Sequence, residues 1–297
     1  MRNNKNISEE NTSPETGKQK SKCRKKYFIW LTVSAVVLMW LLYGNLSLQT
    51  TIYKIKVPQE YSGLDGYTIV QISDLHNAQF GREQSRLIKA VSEQSPDIIV
   101  VTGDLVDSSH TNIDVAMDFM EQAVEIAPVY YVTGNHEGWL EGTYDDLKTQ
   151  LLQAGVIVLE NEAFTVETEG DVISIAGVND PDMPGNNIVL TKQAIQALIP
   201  ELEGYTILLS HRPELFDTYV ESDVDLVFTG HYHGGQFRIP LIGGVVAPGT
   251  GLFPEYAEGT FTEGNTIMVV SRGLGNSVIP VRINNRPEVV VVHLTAE

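Results

Sequence analysis

The chain has 297 residues, and its 42% hydrophobic and 20% charged residues are the composition of an ordinary globular protein. Its net charge of −18 is unevenly distributed, because eight of its 20 Lys and Arg residues lie in residues 1–26. The remaining chain carries 12 basic against 35 acidic side chains, which argues against a nucleic-acid partner held by surface charge.

Two segments precede the acidic part of the chain. Residues 1–26 are polar and basic, a composition that predicts a disordered tail. Residues 27–43, YFIWLTVSAVVLMWLLY, contain no charged side chain, and the stretch continued to Leu48 reaches the roughly 20 residues that a helix needs to cross a bilayer. Aromatic side chains at both ends are typical of the membrane interface. We therefore predict a transmembrane signal anchor over residues 27–48.

The flanking residues decide between an anchor and its alternatives, a buried core helix or a cleaved signal peptide. No polar face interrupts the apolar run, and no small-residue cleavage pair follows it. The only cysteine, Cys23, precedes the run, which argues against a lipoprotein. Since the basic flank is N-terminal, residues 1–26 are expected in the cytoplasm and residues 49–297 outside it, held to the cell membrane by a single uncleaved helix.

Residues 49–297 contain neither a second linker nor a repeat, and they are predicted to form one extracytoplasmic domain. Short apolar runs recur in it, and such runs are typical of strands buried on both faces. The runs are YTIVQIS (67–73), DIIVVTG (97–103), PVYYVTG (128–134), YTILLS (205–210) and DLVFTG (225–230).

Helical patterns separate the first three of these runs and follow the third. The segments are Glu83–Ser95, Ile113–Ile126 and a helix that a Thr143/Asp146 capping box would open and Gly155 would end. Residues 166–177 and 260–294 alternate instead and carry Gly and Asn turns, as antiparallel strands do. Strand–helix alternation followed by β-rich segments predicts an α/β layered fold with mixed sheets.

Each of the five runs ends in side chains able to bind a metal ion, at the position where open α/β sheets place their ligands. In chain order these are Asp74 and His76, Asp104 and Asp107, Asn135, His136 and Glu137, His211, and His231 and His233. Carboxylate and imidazole groups without thiolates suit Mn, Fe or Zn in an open site rather than a closed structural zinc site. Residues two apart on an extended chain point the same way, so His231 and His233 are expected to converge.

In this order, the motifs DLH, GDLVD, GNHE, SH and GHYH resemble those of the calcineurin-like metallophosphoesterases, over residues 65–240. The N-terminal anchor, GHYHGGQ and the terminal SRGLG (271–275) resemble the YkuE-like branch of membrane-associated phosphohydrolases. The resemblance implies a four-layer αββα sandwich of two mixed β-sheets flanked by helices, here preceded by one N-terminal transmembrane helix.

The resemblance also implies a role for each side chain. The ligands of one metal ion would be Asp74, His76, Asp104 and His233, and those of the other would be Asp104, Asn135, His211 and His231. Asp104 would therefore bridge two divalent ions. His136 would lie near the leaving group, with Asp107 orienting it, whereas Glu137 is expected to have a supporting or turn role.

The implied reaction is hydrolysis of a phosphoester, in the first place a phosphodiester, by attack on phosphorus of a hydroxide shared between the two ions. The motifs leave open a phosphomonoesterase or a lipid-linked pyrophosphatase, because the surrounding loops choose the substrate. A catalytically silent metal-binding sensor is the remaining alternative, and the presence of both His136 and Asp107 argues against it.

A site tethered to the outer face of a membrane meets lipid-linked and cell-envelope phosphates first, which are the expected substrates. Several apolar residues follow the last motif and are expected to belong to the β-core, with a lipid path as the alternative. They are Ile239, Leu241, Ile242, Leu252 and Phe253.

Overall fold

The structure, a computed structural model, describes residues 14–140, 142–168, 170–277 and 279–296. The α-helices are α1 Pro14–Leu46, α2 Ser85–Ser92, α3 Ile113–Ala123, α4 Asn135–Gly138, α5 Thr143–Gln153, α6 Ile188–Leu198 and α7 Phe216–Glu221. The strands are β1 Gln49–Val57, β2 Thr68–Ile72, β3 Ile98–Thr102, β4 Val129–Val132, β5 Ile157–Val158, β6 Glu162–Glu167, β7 Val172–Gly177, β8 Tyr205–Leu209, β9 Leu226–Thr229, β10 Arg238–Ile239, β11 Gly243–Gly244, β12 Val246–Ala247, β13 Gly251–Leu252, β14 Gly259–Glu263, β15 Thr266–Val270 and β16 Glu288–Ala296.

Helix α1 contains part of the predicted tail as well as the predicted anchor. Helix α1 begins at Pro14 and so includes residues 14–26, whose Lys, Gln and Glu side chains are good helix formers. Residues 1–13 of the predicted tail lie outside the described residues. The stretch Arg24–Leu46, 23 residues with a mean hydropathy of 1.8, is long and apolar enough to cross a membrane. The chain divides after Tyr43 into two compact units, of which the second, Gly44–Glu297, is called the sandwich unit below.

Two six-stranded mixed sheets form the sandwich unit. The first has the strand order β1-β16-β2-β3-β4-β5, and the second has the order β14-β15-β9-β8-β7-β6. Strands β2 to β5 run parallel in the first sheet, as do β15, β9, β8 and β7 in the second. The five predicted runs are all strands, and each observed end lies within two residues of the predicted one.

Apolar side chains fill three layers around the two sheets. Consecutive residues of β3 point to opposite faces: Val100 packs between the sheets with Phe228, whereas Val101 packs outward against α2, α3 and α5. On the outer face of the second sheet, Val227 packs against α6 and α7. Each such buried side chain contributes about 1.5–3 kcal/mol to folding. The predicted αββα sandwich is confirmed.

Gln71 joins the two sheets beneath the strand ends that carry the predicted site. Its fully buried Nε2 donates hydrogen bonds to Thr102 Oγ1 in the first sheet, at 3.0 Å, and to the backbone carbonyl of Thr229 in the second, at 2.8 Å. Thr102 and Thr229 are the last residues of β3 and β9. The C-terminal ends of parallel strands from both sheets therefore meet at one edge of the sandwich.

Two local predictions are wrong. Thr143 is the first residue of α5 rather than its cap, because the N-cap is Gly142, which has no side chain with which to cap.

The apolar residues after the last motif do not belong to the core: their exposures are 43% for Ile239, 107% for Leu241, 64% for Ile242, 69% for Leu252 and 56% for Phe253. They lie on or beside the two-residue strands β10 to β13, whose pairs are too short to build a layer that covers them.

Candidate metal centre

The ends of five strands bring the predicted side chains together. Strands β2, β3 and β4 of the first sheet and β8 and β9 of the second each end just before one or more of them. Nine are buried, with 6% exposure or less, namely Asp74, His76, Asp104, Asn135, His136, Glu137, His211, His231 and His233. Asp107 is partly exposed in the loop after β3.

The first cluster combines side chains from three strand ends. One possible ligand atom from each of Asp74, His76, Asp104 and His233 lies within 4.8 Å of the others. His76 Nε2 is 3.4 Å from Asp104 Oδ2, and His233 Nε2 is 3.5 Å from Asp74 Oδ1. These are the four residues that the family resemblance groups around one ion.

The second cluster shares Asp104 with the first. Ligand atoms of Asp104, His211 and His231 lie within 4.8 Å of one another. His211 Nε2 is 3.3 Å from Asp104 Oδ2, 3.2 Å from Asn135 Oδ1 and 3.2 Å from His231 Nδ1. The structure thus places Asn135 in this cluster and divides His231 and His233 between the two clusters.

Five of these side chains project from residues in the left-handed backbone region. The φ angles are 51° at Asp74, 44° at His76, 52° at Asp104, 68° at His231 and 48° at His233. The prediction that His231 and His233 converge because they are two residues apart on an extended chain therefore gave the wrong reason, since neither residue is extended. The chain converges on the centre through tight turns at the strand ends, each of which strains a residue other than glycine.

The donor groups fit divalent metal ions. Both ring nitrogens of His76 are buried without a hydrogen-bond partner among the described residues. The Nδ1 atom of His211 lies 2.7 Å from the backbone carbonyl of Thr102, so Nδ1 carries the proton and Nε2 offers its lone pair to the cluster. A backbone carbonyl commonly orients a metal-ligating histidine in this way.

Carboxylates give the centre an electrostatic preference for positive charge. Burial by itself raises the pKa of Asp104, but His211 and His76 outweigh it and hold the pKa well below the usual value. Burial lowers the pKa of His211, yet Asp104 and Asp74 reverse this and raise that pKa to about 10. A buried centre that stabilises a protonated imidazole will also stabilise a bound cation.

His136 lies beside the first cluster but is held differently from the prediction. Its Nδ1 accepts a hydrogen bond from the backbone N–H of Ser108 at 3.0 Å, and its Nε2 is 3.1 Å from Ser277 Oγ. The carboxylate of Asp107 instead accepts from the backbone N–H groups of Ser109 and His110, at 2.8 and 3.2 Å. The hydrogen bond to the imidazole thus comes from Ser108 rather than from Asp107, whose Oδ1 closes its own turn and whose Oδ2 lies 3.9 Å from His76 Nδ1.

Glu137 clamps the loop that carries Asp104. Its buried carboxylate accepts hydrogen bonds from the backbone N–H groups of Asp104, Leu105 and Gly134, at 2.8, 2.8 and 2.7 Å. Burial and the nearby Asp104 raise the pKa of Glu137 to about 7, against the effect of these hydrogen bonds. This supporting role agrees with the role expected for Glu137 and extends it to a defined set of partners.

Arg212 and Asp180 were not singled out from the sequence. Arg212 follows His211 directly, and its guanidinium binds Asp180 through two hydrogen bonds of 2.6 and 2.8 Å. The Nη1 atom of Arg212 lies 3.1 Å from His231 Nε2. The only available signal was the SHR sequence, since Asp180 lies in a loop with no recognisable motif.

A family model agrees with this geometry. The model of the calcineurin-like phosphoesterases matches residues 67–235, which include every residue of both clusters. The chain belongs to the calcineurin-like phosphoesterase family. It is therefore a hydrolase, and its two His and Asp clusters bring together groups able to hold the divalent metal ions that this family typically binds.

Curated relatives extend the similarity beyond the family model. The metallophosphoesterase YkuE of Bacillus subtilis is 30% identical over 83% of this chain and 85% of its own length. The phosphodiesterase YaeI of Escherichia coli is 31% identical over 77% of this chain and 82% of its own length. A transmembrane protein with a metallophosphoesterase domain from Danio rerio is 30% identical over 87% of this chain and 61% of its own length. The predicted resemblance to the YkuE-like branch is confirmed.

Proposed function

We propose that the protein is a binuclear metal-dependent phosphodiesterase. The observation that carries this proposal is the position of one carboxylate oxygen: Asp104 Oδ2 lies 3.4 Å from His76 Nε2 and 3.3 Å from His211 Nε2. A single carboxylate thus belongs to both clusters, as a bridging ligand must. The similarity to a relative named as a phosphodiesterase supports a diester over other phosphoesters.

The two clusters supply the ligands of two divalent ions, Mn, Fe or Zn. Asp74, His76, Asp104 and His233 are the ligands assigned to one ion, and Asp104, Asn135, His211 and His231 are those assigned to the other. When bound, such a metal pair acts as a Lewis acid and activates water as the nucleophile. Asp74 and Asp104 contribute only two negative charges, so the loaded centre keeps a positive charge that attracts a phosphate group.

His136 is the residue that serves the leaving group. Because its Nδ1 accepts a hydrogen bond from the backbone of Ser108, the proton of the neutral ring resides on Nε2. Burial lowers the pKa of His136, which keeps the ring neutral. The Nε2–H group donates to the departing oxygen as the phosphorus–oxygen bond breaks, in the manner of a general acid. Asp107 contributes indirectly, by closing the turn that presents Ser108.

The enzyme acts at the outer face of a membrane. A single helix crosses the membrane, the basic N-terminal flank stays in the cytoplasm, and the sandwich unit lies outside. The similarity to a relative named as a transmembrane protein supports the anchor. A phosphodiester of the cell envelope or of a lipid is the substrate within reach of a centre held in this position.

Substitution of the shared carboxylate tests the assignment. The full chain, loaded with Mn²⁺ in detergent, is compared with Asp104→Asn on bis(p-nitrophenyl) phosphate, p-nitrophenyl phosphate and pyrophosphate. We expect the diester to be hydrolysed fastest, and Asp104→Asn to lose both metals and to slow hydrolysis by at least about 10²-fold, since each ion loses a ligand. Asp114→Asn, at an exposed position on α3, is the matched control. Two metals remaining in Asp104→Asn, or diester hydrolysis that a chelator does not reduce, would contradict the proposal.

A further inference from the structure

Residues 239–253, called the apolar loop here, contain several of the large apolar side chains that are exposed in the described sandwich unit. Five large apolar side chains point into solvent, with exposures of 107% for Leu241, 69% for Leu252, 64% for Ile242, 56% for Phe253 and 43% for Ile239. An exposed apolar surface of this extent marks a contact with another apolar body.

The composition of the apolar loop indicates that this body is a lipid bilayer. Residues 239–254, IPLIGGVVAPGTGLFP, contain no charged side chain, although the chain as a whole carries a net charge of −18. A protein-binding surface keeps a polar rim around its apolar centre. A segment that enters hydrocarbon excludes charge, because a charged side chain there costs several kcal/mol.

The base of the apolar loop is connected by hydrogen bonds to Asn45, in the last turn of α1. Asn45 Oδ1 accepts a hydrogen bond from the backbone N–H of Arg282 at 2.7 Å, and Asn45 Nδ2 donates to its carbonyl at 3.1 Å. The neighbouring residue, Ile283, accepts a hydrogen bond from the backbone N–H of Arg238 at 2.9 Å. Asn45 belongs to the sandwich unit, and in the sequence it follows the uncharged run 27–43 by two residues.

A cavity connects the apolar loop to the metal centre. It has a volume of about 190 Å³ and is lined by Val246, Ala247 and Pro248 of the loop, by Ile279, and by His233, Gln236 and Ser277. His233 belongs to the first cluster, and Ser277 Oγ lies 3.1 Å from His136 Nε2. An apolar group in this cavity would therefore lie next to a phosphate held at the centre.

We propose that the apolar loop inserts into the bilayer surface and that the substrate is a membrane phosphodiester whose hydrocarbon chain starts in this cavity. This proposal rests on the function proposed above and adds the substrate class. In the reaction, water adds across one phosphorus–oxygen ester bond: its oxygen joins phosphorus, and its protons go to the leaving oxygen and to the phosphate product or solvent. The hydrocarbon chain stays attached to one of the two products.

Insertion is tested by fluorescence of the full chain reconstituted in vesicles of phosphatidylcholine and phosphatidylglycerol. In a Cys23→Ser background, an environment-sensitive fluorophore is attached at Leu241→Cys or, as a matched control, at Leu152→Cys, an exposed leucine of α5. We expect lipids brominated in their acyl chains to quench the probe at position 241 and to leave that at position 152 unquenched. Absence of quenching at position 241, or equal quenching at both positions, overturns the proposal.

The substrate class is tested with two diesters that share one leaving group, hexadecyl p-nitrophenyl phosphate and methyl p-nitrophenyl phosphate, in the same vesicles. We expect kcat/KM to be higher for the hexadecyl ester, and Leu241→Asp to lower it by about tenfold or more while the methyl ester is unaffected. Leu152→Asp should change neither. Equal kcat/KM for the two esters in the unsubstituted enzyme overturns the substrate class, whereas failure to hydrolyse either ester overturns the phosphodiesterase function itself.

Discussion

The neutral rings of His136 and His211 carry their protons on different nitrogen atoms. The backbone of Ser108 donates to its Nδ1, so Nε2 carries the proton, while His211 shows the opposite arrangement through its bond to the carbonyl of Thr102. Two imidazoles in one buried centre thus differ in role because different backbone groups meet their Nδ1 atoms. One is suited to donate a proton and the other to bind a metal.

Replacing His136 separates these roles. We expect His136→Ala to keep its metal content and to lose turnover by about 10²-fold or more on a diester with a poor leaving group, because only such a group needs a proton. The loss should be smaller for a p-nitrophenyl ester, whose anion leaves unaided. His110→Ala, at a neighbouring side chain that is 90% exposed, is the control. Turnover and metal content are measured on the same preparation, and full activity of His136→Ala on the poor leaving group would remove the assigned role.

The residues of the centre could be named from the sequence, but their conformations could not. Position after a strand end and ligand chemistry suffice to select Asp74, Asp104 and His211. The left-handed φ angles of 68° at His231 and 48° at His233 have no sequence signal, since neither is a residue that favours this region as glycine does. The hydrogen-bond partner of His136 could not be predicted from the sequence either, because a backbone N–H group such as that of Ser108 is not marked by any particular residue type.

At the scale of elements, the turns at the strand ends are held by close packing of one turn against another. A Cβ atom added at Gly230, after β9, would meet Ser73 Oγ first and would lie 2.5 Å from Asp74 Oδ2, both after β2. At Gly273, where φ is +68°, it would lie 2.6 Å from the Cβ atom of Asp74. The glycine in the terminal SRGLG motif therefore allows the backbone of this motif to approach Asp74. This gives a physical reason for a motif that the sequence analysis used only as evidence of family resemblance.

Gly230→Ala tests this packing. The new methyl group displaces Asp74, so we expect the first metal site to be lost, the second to remain and the free energy of unfolding to fall by about 1–3 kcal/mol. Gly170→Ala is the control, because the nearest atom to its added Cβ is 3.8 Å away. Elemental analysis together with thermal unfolding measures both effects. Two bound metals and an unchanged melting temperature in Gly230→Ala would show that the turns adapt freely.

At the scale of the whole molecule, the pattern of apolar residues along the chain predicts some parts of the fold and not others. The five buried strands and the α/β layered fold with mixed sheets followed from the apolar runs, because burial on both faces of a strand leaves a strong sequence pattern, whereas the αββα layers were implied only by the family resemblance. The exposure of Leu241 and Phe253 did not follow, since an apolar residue in a short loop has the same sequence signature as one in a core strand. Only the structure shows that nothing within the described residues covers them.

The single cysteine of the chain permits a direct test of its orientation. Cys23 lies in the basic segment before the apolar run, and basic residues on that side predict that it faces the cytoplasm. In intact cells or spheroplasts, we expect a membrane-impermeant maleimide to leave Cys23 unlabelled until the membrane is permeabilised. The double variant Cys23→Ser, Leu152→Cys moves the only thiol to an exposed position of the sandwich unit, and it should be labelled without permeabilisation. Labelling of Cys23 alone in intact cells would reverse the orientation and place the metal centre in the cytoplasm.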